Sequence, residues 1–339
     1  MKKFAAIGTV FLLILVLCSA CAKKSAIPKA GSAEASDMLT LLPQNASGII
    51  VIDLHRAFTT EFADNLIKDS KDYQKYQEFV KKTGLDPQKD IYFLALAITS
   101  MADQNVRSGV GVINLKYNKE TLMAKIKEQG QELKEETYNG ISLISGSEDD
   151  GKSFFGAFLD ESNIALGEEK GVKAVIDIYQ KKAKSVLENE ELMALIKMLP
   201  QNSLVWSAFI FSPEMTQQIT AQNPMLSSLE SLKSIVVYFD YMDKNILAEI
   251  KAMSGDVEKN KQIADLLNGL KALGGMAAAT KPEVGELMNK IEITAGPDFV
   301  KVYANVPEAL LKKLGETAKK KVEAQIEEKT EEGAVEKKD

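Results

Sequence analysis

Two nearly unbroken apolar runs, Gly48 to Leu54 and Leu204 to Phe211, are the clearest strand signals in the chain. Between them, apolar spacing switches repeatedly from the period of a strand to that of a helix. Thr59 to Lys82 places Phe62, Leu66, Tyr73, Tyr76, Phe79 and Val80 on one helical face, and Gly84 is positioned to cap its end. Ile91 to Ile98 and Val110 to Leu115 read as strands. Asn118 then opens a helix that carries Leu122, Met123 and Ile126 and stops at Gly130. Ile141 to Ser145, Ser153 to Leu159 and Asn163 to Leu166 are three further strands, with an Asn139-Gly140 turn before the first. Helical patterns at Val172 to Tyr179 and Glu188 to Met198 lead into the second apolar run.

The same order of elements then recurs. Leu41-Leu42-Pro43-Gln44-Asn45-Ala46 precedes the first run and Met198-Leu199-Pro200-Gln201-Asn202-Ser203 precedes the second, with the two prolines 157 residues apart. After the second run come a helical segment from Pro213 to about Leu232 and strands at Ile235 to Tyr241 and Ile246 to Met253. A helix from about Asp256 carries Ile263, Leu266, Leu267, Leu270 and Leu273 and should stop at Gly274 and Gly275. Strands at Lys290 to Thr294 and Val300 to Asn305 follow, and Pro307 opens a helix with Leu310, Leu311 and Leu314. Tight turns join most neighbouring strands, which predicts an α+β fold. It comprises two tandem related halves, 39–197 and 198–315, each a mostly antiparallel sheet with helices packed on one face.

Both ends of the chain read differently. Lys2 and Lys3 followed by the apolar stretch Phe4 to Leu17 and the small residues Ser19 and Ala20 have the order of an export signal. The apolar stretch is shorter than the roughly 20 residues a permanent membrane span requires. Leu17-Cys18-Ser19-Ala20-Cys21 resembles the bacterial lipobox, with Cys18 standing where Leu is usual. The resemblance implies removal of residues 1–20 and lipidation of Cys21, an anchor made durable by more than one acyl chain. With Ala22 rather than Asp after that cysteine, it further implies the outer membrane, facing the periplasm, in a Gram-negative cell. Residues 21–38 read as a flexible tether, and the Lys- and Glu-rich stretch 316–339 as a frayed helix or disordered tail.

Charge and composition narrow the chemistry. Loss of residues 1–20 removes two lysines and takes the formal charge from −6 to −8, without the basic footprint that nucleic acid requires. Cys18 and Cys21 are the only cysteines and His55 the only histidine, which leaves no disulfide, no thiol nucleophile and no His-rich metal site in the body. His55, at the end of the first apolar run, reads as a surface histidine rather than a general base. Glu148-Asp149-Asp150-Gly151 lacks the spacing of a calcium loop and reads as a hairpin turn. Gly109-Val110-Gly111 has neither the third glycine nor the Lys-Ser/Thr partner of a phosphate cradle. No cofactor is expected.

Thr83-Gly84-Leu85-Asp86-Pro87 followed by Asp90-Ile91, together with the earlier Leu42-Pro43 and its strand, resembles a family of uncharacterised bacterial exported proteins. That family shares a Leu-Pro start, a strand, a helix and a TGxDPxxD turn into the next strand. The resemblance implies location and architecture but no activity, and Asp86 and Asp90 read as turn residues. The leading expectation is a non-enzymatic, membrane-anchored envelope lipoprotein that binds a protein partner or an apolar ligand. Gly274-Gly275-Met276-Ala277-Ala278-Ala279 is either its contact surface or part of the core. Two alternatives are an extracytoplasmic solute-binding protein with parallel-sheet lobes, and a hydrolase built on two converging carboxylates of which one has a raised pKa.

Overall fold

The computed structural model describes residues 34–60, 63, 72–103, 106–128, 132–147, 153–221, 224–279 and 281–317. Cys21, residues 1–20, the Glu148–Gly151 cluster and all but the first two residues of the 316–339 stretch lie outside them. The first half comprises α1 (Ala35–Leu39), β1 (Gly48–Asp53), α2 (Leu54–Phe58), α3 (Asp72–Thr83), α4 (Pro87–Asp90), β2 (Ile91–Asp103), β3 (Val106–Leu115) and α5 (Lys119–Glu128). It continues through β4 (Lys134–Tyr138), β5 (Ile141–Ser147), β6 (Ser153–Phe158), β7 (Asn163–Gly167), α6 (Glu169–Tyr179) and α7 (Glu190–Ile196). The second half comprises β8 (Val205–Ile210), α8 (Pro213–Ala221), β9 (Leu232–Met242), β10 (Asn245–Ser254), α9 (Val257–Met276), α10 (Pro282–Asn289), β11 (Ile291–Ala295), β12 (Phe299–Pro307) and α11 (308–317).

The fold is α+β and antiparallel, as the turn pattern predicts, but the two halves share one sheet. Its twelve strands run in the order β11-β12-β10-β9-β8-β1-β2-β3-β7-β6-β5-β4. The strands that follow the two Leu-Pro segments form the central pair, antiparallel from Gly48 opposite Phe209 to Ile52 opposite Val205. Outward from that pair the order is β1, β2, β3, β7, β6 on one side and β8, β9, β10, β12, β11 on the other; the β5–β4 hairpin extends only the first.

The first half departs from helices on one face. Ile50, Ile52, Leu94, Leu96, Ile113 and Ile164 pack against Leu54 and Phe58 of α2, Tyr76 and Phe79 of α3, and Leu122 and Ile126 of α5. Their alternates Ile49, Val51, Ala95, Ala97, Val110, Val112, Trp206 and Ala208 pack against α1, α6 and α7. A strand covered on both faces has no solvent side for polar residues, which is why β1 and β2 read as continuous apolar runs. In the second half, Ile263 and Ala264 of α9 cover Val300, which by register shares the face of Ile50 and Ile52. On the other face β10 and β12 alternate to Glu249, Lys251, Lys301 and Tyr303.

Several boundaries move. Ala35–Leu39, read as the end of the tether, is a helix with Met38 and Leu39 buried in the core. β4 and α10 are absent from the sequence reading. The segment expected as helical from Pro213 to about Leu232 is an α-helix over Pro213–Ala221 and a 3-10 helix over Pro224–Ser231, with residues 222–223 outside those described. The helix expected over Thr59 to Lys82 lies partly outside the described residues, with α2 starting before it at the Asp53 cap. Two expected signals hold: Asn118 accepts from Thr121 N at 2.8 Å, and Gly84 caps α3 at φ 73°; β5 and β6 pair antiparallel, with the acidic residues expected as their turn outside the described residues.

The linker between the halves also holds the first Leu-Pro segment in place. Val186 N donates to Leu42 O at 2.7 Å, and Asn189 Nδ2 donates to Gln44 O at 2.9 Å and Ala46 O at 3.2 Å. The Oδ1 of the same Asn189 accepts from Leu192 N at 3.0 Å and caps α7. Asn189→Ala therefore removes a helix cap and leaves two carbonyls short of a donor. Urea unfolding should show a loss of about 2 kcal/mol; a change within a few tenths would mean that this junction bears little load.

Candidate functional site

The central seam of the sheet carries a buried ionic cluster. Asp53 ends β1 and accepts from Arg56 N at 2.9 Å, so its carboxylate both caps α2 and turns the arginine side chain back across the sheet. Arg56 Nη2 donates to Asp240 Oδ1 on β9 at 2.9 Å, and Nη1 donates to Asn202 O in the second Leu-Pro segment. Arg56 Nε lies 3.9 Å from Asp53 Oδ2 and makes no hydrogen bond. Asp240 Oδ1 also accepts from Tyr241 N, and Tyr241 OH donates to the Glu308 carboxylate, which Lys312 pairs in turn. Asp53, Arg56 and Asp240 are all buried.

Burial pushes the Asp53 carboxyl up to about 6, against the lowering pull of the Arg56 N–H and guanidinium and with the Asp240 charge adding to the rise. Two converging carboxylates, one with a raised pKa, meet part of the expectation for a hydrolase. The rest fails on geometry. Arg56 stands between the acids, and all three side chains are shut off from the water and substrate that general acid–base work requires. The arrangement joins the halves, α2 on one side to β9 on the other. Sequence reasoning missed it because Arg56 and Asp240 are 184 residues apart and neither belongs to a motif.

The residues singled out in the sequence do not converge on this cluster. His55 lies in α2 rather than at a strand end, half-buried with its ring 5.1 Å from that of Tyr92. Burial, with the nearby Lys116 charge, lowers its pKa, and Nδ1 has no hydrogen-bond partner. Asp86 caps α4 by accepting from Gln88 N at 3.0 Å, and accepts from Tyr76 OH at 2.5 Å and Lys89 Nζ at 2.6 Å. Burial alone would raise the Asp86 carboxyl; those donors outweigh it and hold the pKa below the usual value. Asp90 Oδ2 accepts from Asp86 N at 2.7 Å, so both acids perform the turn work assigned to them. Gly109 and Gly111 lie in β3, where a Cβ on Gly111 would come within 2.8 Å of the Leu96 side chain. Among the described residues no group of acids, cysteines and histidine is arranged to hold a metal.

The second feature is a surface. α9 runs on through Gly274 and Gly275 to Met276, where the sequence predicts a stop. Ile263 and Ala264 are buried, but Leu270, Leu273 and Met276 are 56, 65 and 74% exposed, and Leu266 is exposed beside them. At 3.6 residues per turn the three leucines fall in one sector adjoining that of Ile263 and Leu267, with Met276 at its edge. The helix therefore has an apolar arc wider than its seat on the sheet.

Removing the seam arginine should be severe. Arg56→Met leaves two buried carboxylates without a counter-charge and should cost about 3–5 kcal/mol in urea unfolding at neutral pH. Asp53 has a folded pKa near 6, above its ordinary 3.8, so its contribution to stability is full below 3.8 and lost as pH rises through 6. The stability of the wild type relative to Asp53→Asn should therefore fall across that window; a flat difference would show that Asp53 does not titrate there.

A comparison with curated proteins finds no match. Among solved structures, TP0453 in crystal form III aligns with a TM-score of 0.50 at 11% identity, over 81% of this chain and 96% of that one. Its crystal form I gives 0.47 at 11% identity, over 81% of this chain and 94% of that one. At such identity the likeness is one of fold alone. The sequence profile of one family matches residues 6–268, well over half of the protein, and on that match the chain belongs to the family described as "Protein of unknown function (DUF3352)".

Proposed function

We propose that the protein is a membrane-anchored envelope lipoprotein that works by binding rather than by catalysis, presenting the exposed apolar arc of α9 to a protein partner or an apolar ligand. The arc is the observation that carries this reading. Burying large aliphatic side chains is the main source of core stability, and four of them left in water along one helix face mark a contact surface. The address comes from the N-terminal sequence: Lys2, Lys3, the apolar stretch and the lipobox-like Leu17-Cys18-Ser19-Ala20-Cys21. On this reading the acyl chains on Cys21 supply the membrane attachment, and no described helix is long and apolar enough to cross a bilayer.

The solute-binding alternative loses its structural basis. It requires two lobes built on parallel sheets with a ligand at the strand ends, whereas among the described residues every ladder is antiparallel and belongs to one continuous sheet. The hydrolase alternative fails at Arg56, as described above. The acidic balance of the chain also disfavours nucleic acid as the partner.

Mass spectrometry of the membrane-extracted protein should find an acylated Cys21 as the first residue. A photo-crosslinker at position 270 in cells should give adducts that one at position 257, on the opposite side of the same helix, does not. Recovery of the protein from the soluble fraction with Met1 intact, or equal adducts from both positions, would overturn the reading.

A further inference from the structure

We infer that the exposed face of α9 docks on the surface of a lipid bilayer, an inference that rests on the apolar-contact role proposed above and names its occupant. The first argument is area. Leu266, Leu270, Leu273 and Met276 are each only partly exposed, and together they offer on the order of a few hundred Å². A stable interface with another protein or a second copy buries about 800 Å² on each side, so this face alone falls well short. A bilayer has no such threshold, because it supplies apolar volume to whatever depth the side chains reach.

The second argument is chemical. Protein interfaces draw most of their affinity from Trp, Tyr and Arg set in shaped pockets, and this face contains none of them. It consists of aliphatic and thioether side chains, with Gln262 on the same stripe, beside a polar arc of Lys261, Asp265 and Asn268, all exposed. Such apolar side chains gain from immersion in acyl chains without needing a shaped pocket.

The outer end of the helix is also closely packed. A Cβ on Gly274 of α9 would come within 2.8 Å of Met288 Sδ in α10, and one on Gly285 of α10 within 2.4 Å of Ala278 Cβ, just past the end of α9. Reach adds to this. The first described helix begins at Ala35, fourteen residues beyond Cys21. That is about 50 Å at full extension, so an anchored body stays close to the bilayer and needs only weak affinity to remain on it.

The test uses the mature chain with Cys21→Ser, which has no acyl group, and vesicles of phosphatidylethanolamine and phosphatidylglycerol separated by flotation. The chain should float with the vesicles. Leu270→Ser with Leu273→Ser should weaken partitioning roughly 30-fold or more. Val257→Ser, equally apolar and 63% exposed but on the opposite side, should leave it unchanged. Because the chain and the phosphatidylglycerol are both net negative, added salt should screen their repulsion and strengthen flotation rather than weaken it. Trp206 is the sole tryptophan and fully buried, so Leu273→Trp adds one surface reporter, which lipids brominated on their acyl chains should quench. Failure to float, flotation that the double variant retains, or an unquenched reporter overturns the proposal. A soluble dimer dispersed by the double variant, or protein adducts at position 270 without flotation, would assign the face to a second copy or a partner protein. Either would leave the apolar-contact reading standing, whereas equal adducts at 270 and 257 would remove both.

Discussion

The structure depends on the pairing of β1 with β8. Each of these strands follows a Leu-Pro-Gln-Asn segment, and their ladder from Gly48–Phe209 to Ile52–Val205 turns two sets of strands into one sheet. Main-chain bonds extend the seam past the ladder at both ends, from Ile210 N to Ser47 O and from Asp53 N to Leu204 O, both 2.8 Å. Side chains lock what the backbone aligns. Trp206 is buried on one face with its Nε1 donating to Gln201 O at 3.0 Å, and Arg56 bridges Asn202 and Asp240 at the strand ends. Cores above and below the seam draw residues from both halves, so neither half has a complete core of its own.

That dependence explains the cluster of buried charge. Ion pairs taken out of water seldom add net stability over apolar residues of the same size, but a half-made one is severely unfavourable. Arg56 finds both Asn202 O and Asp240 only when β1, β8 and β9 stand in their correct order and register. The cluster thereby penalises any shifted pairing of strands whose continuous apolar sequences would otherwise tolerate a slip.

Much of the fold is legible along the chain because its signals are local. The Asn118 cap, the Gly84 stop and the Asn139-Gly140 turn, with φ of 51° and 81°, act within a few residues and appear where the sequence puts them. The antiparallel class follows from the same turns. The merging of the halves is not legible, since nothing in Ile49-Ile50-Val51 names Trp206 as its neighbour. Nor is the second helical layer, although the unbroken apolar runs of β1 and β2 are its trace. Gly274-Gly275 misleads in the other direction, because a glycine pair that reads as a helix stop is carried inside α9, with Gly274 set against Met288 of α10. The candidate sites were legible only in part: Leu266, Leu270 and Leu273 show a helical rhythm, but rhythm cannot distinguish a face that has found a partner from one that has not. Asp53, Arg56 and Asp240 show no rhythm at all.

β4 escaped the sequence reading because Lys134-Glu135-Glu136-Thr137-Tyr138 has no apolar alternation, and its place in the fold shows what those charges accomplish. An open sheet of twelve strands ends in two margins whose free N–H and C=O groups offer a template to any extended chain nearby. At one margin β4 surrounds that template with exposed lysine and glutamate, so an incoming strand would have to lay its own side chains among them. At the other, β11 covers only Ile291–Ala295 and is too short to guide a long ladder. These two margins limit lateral growth of the sheet from one molecule into the next.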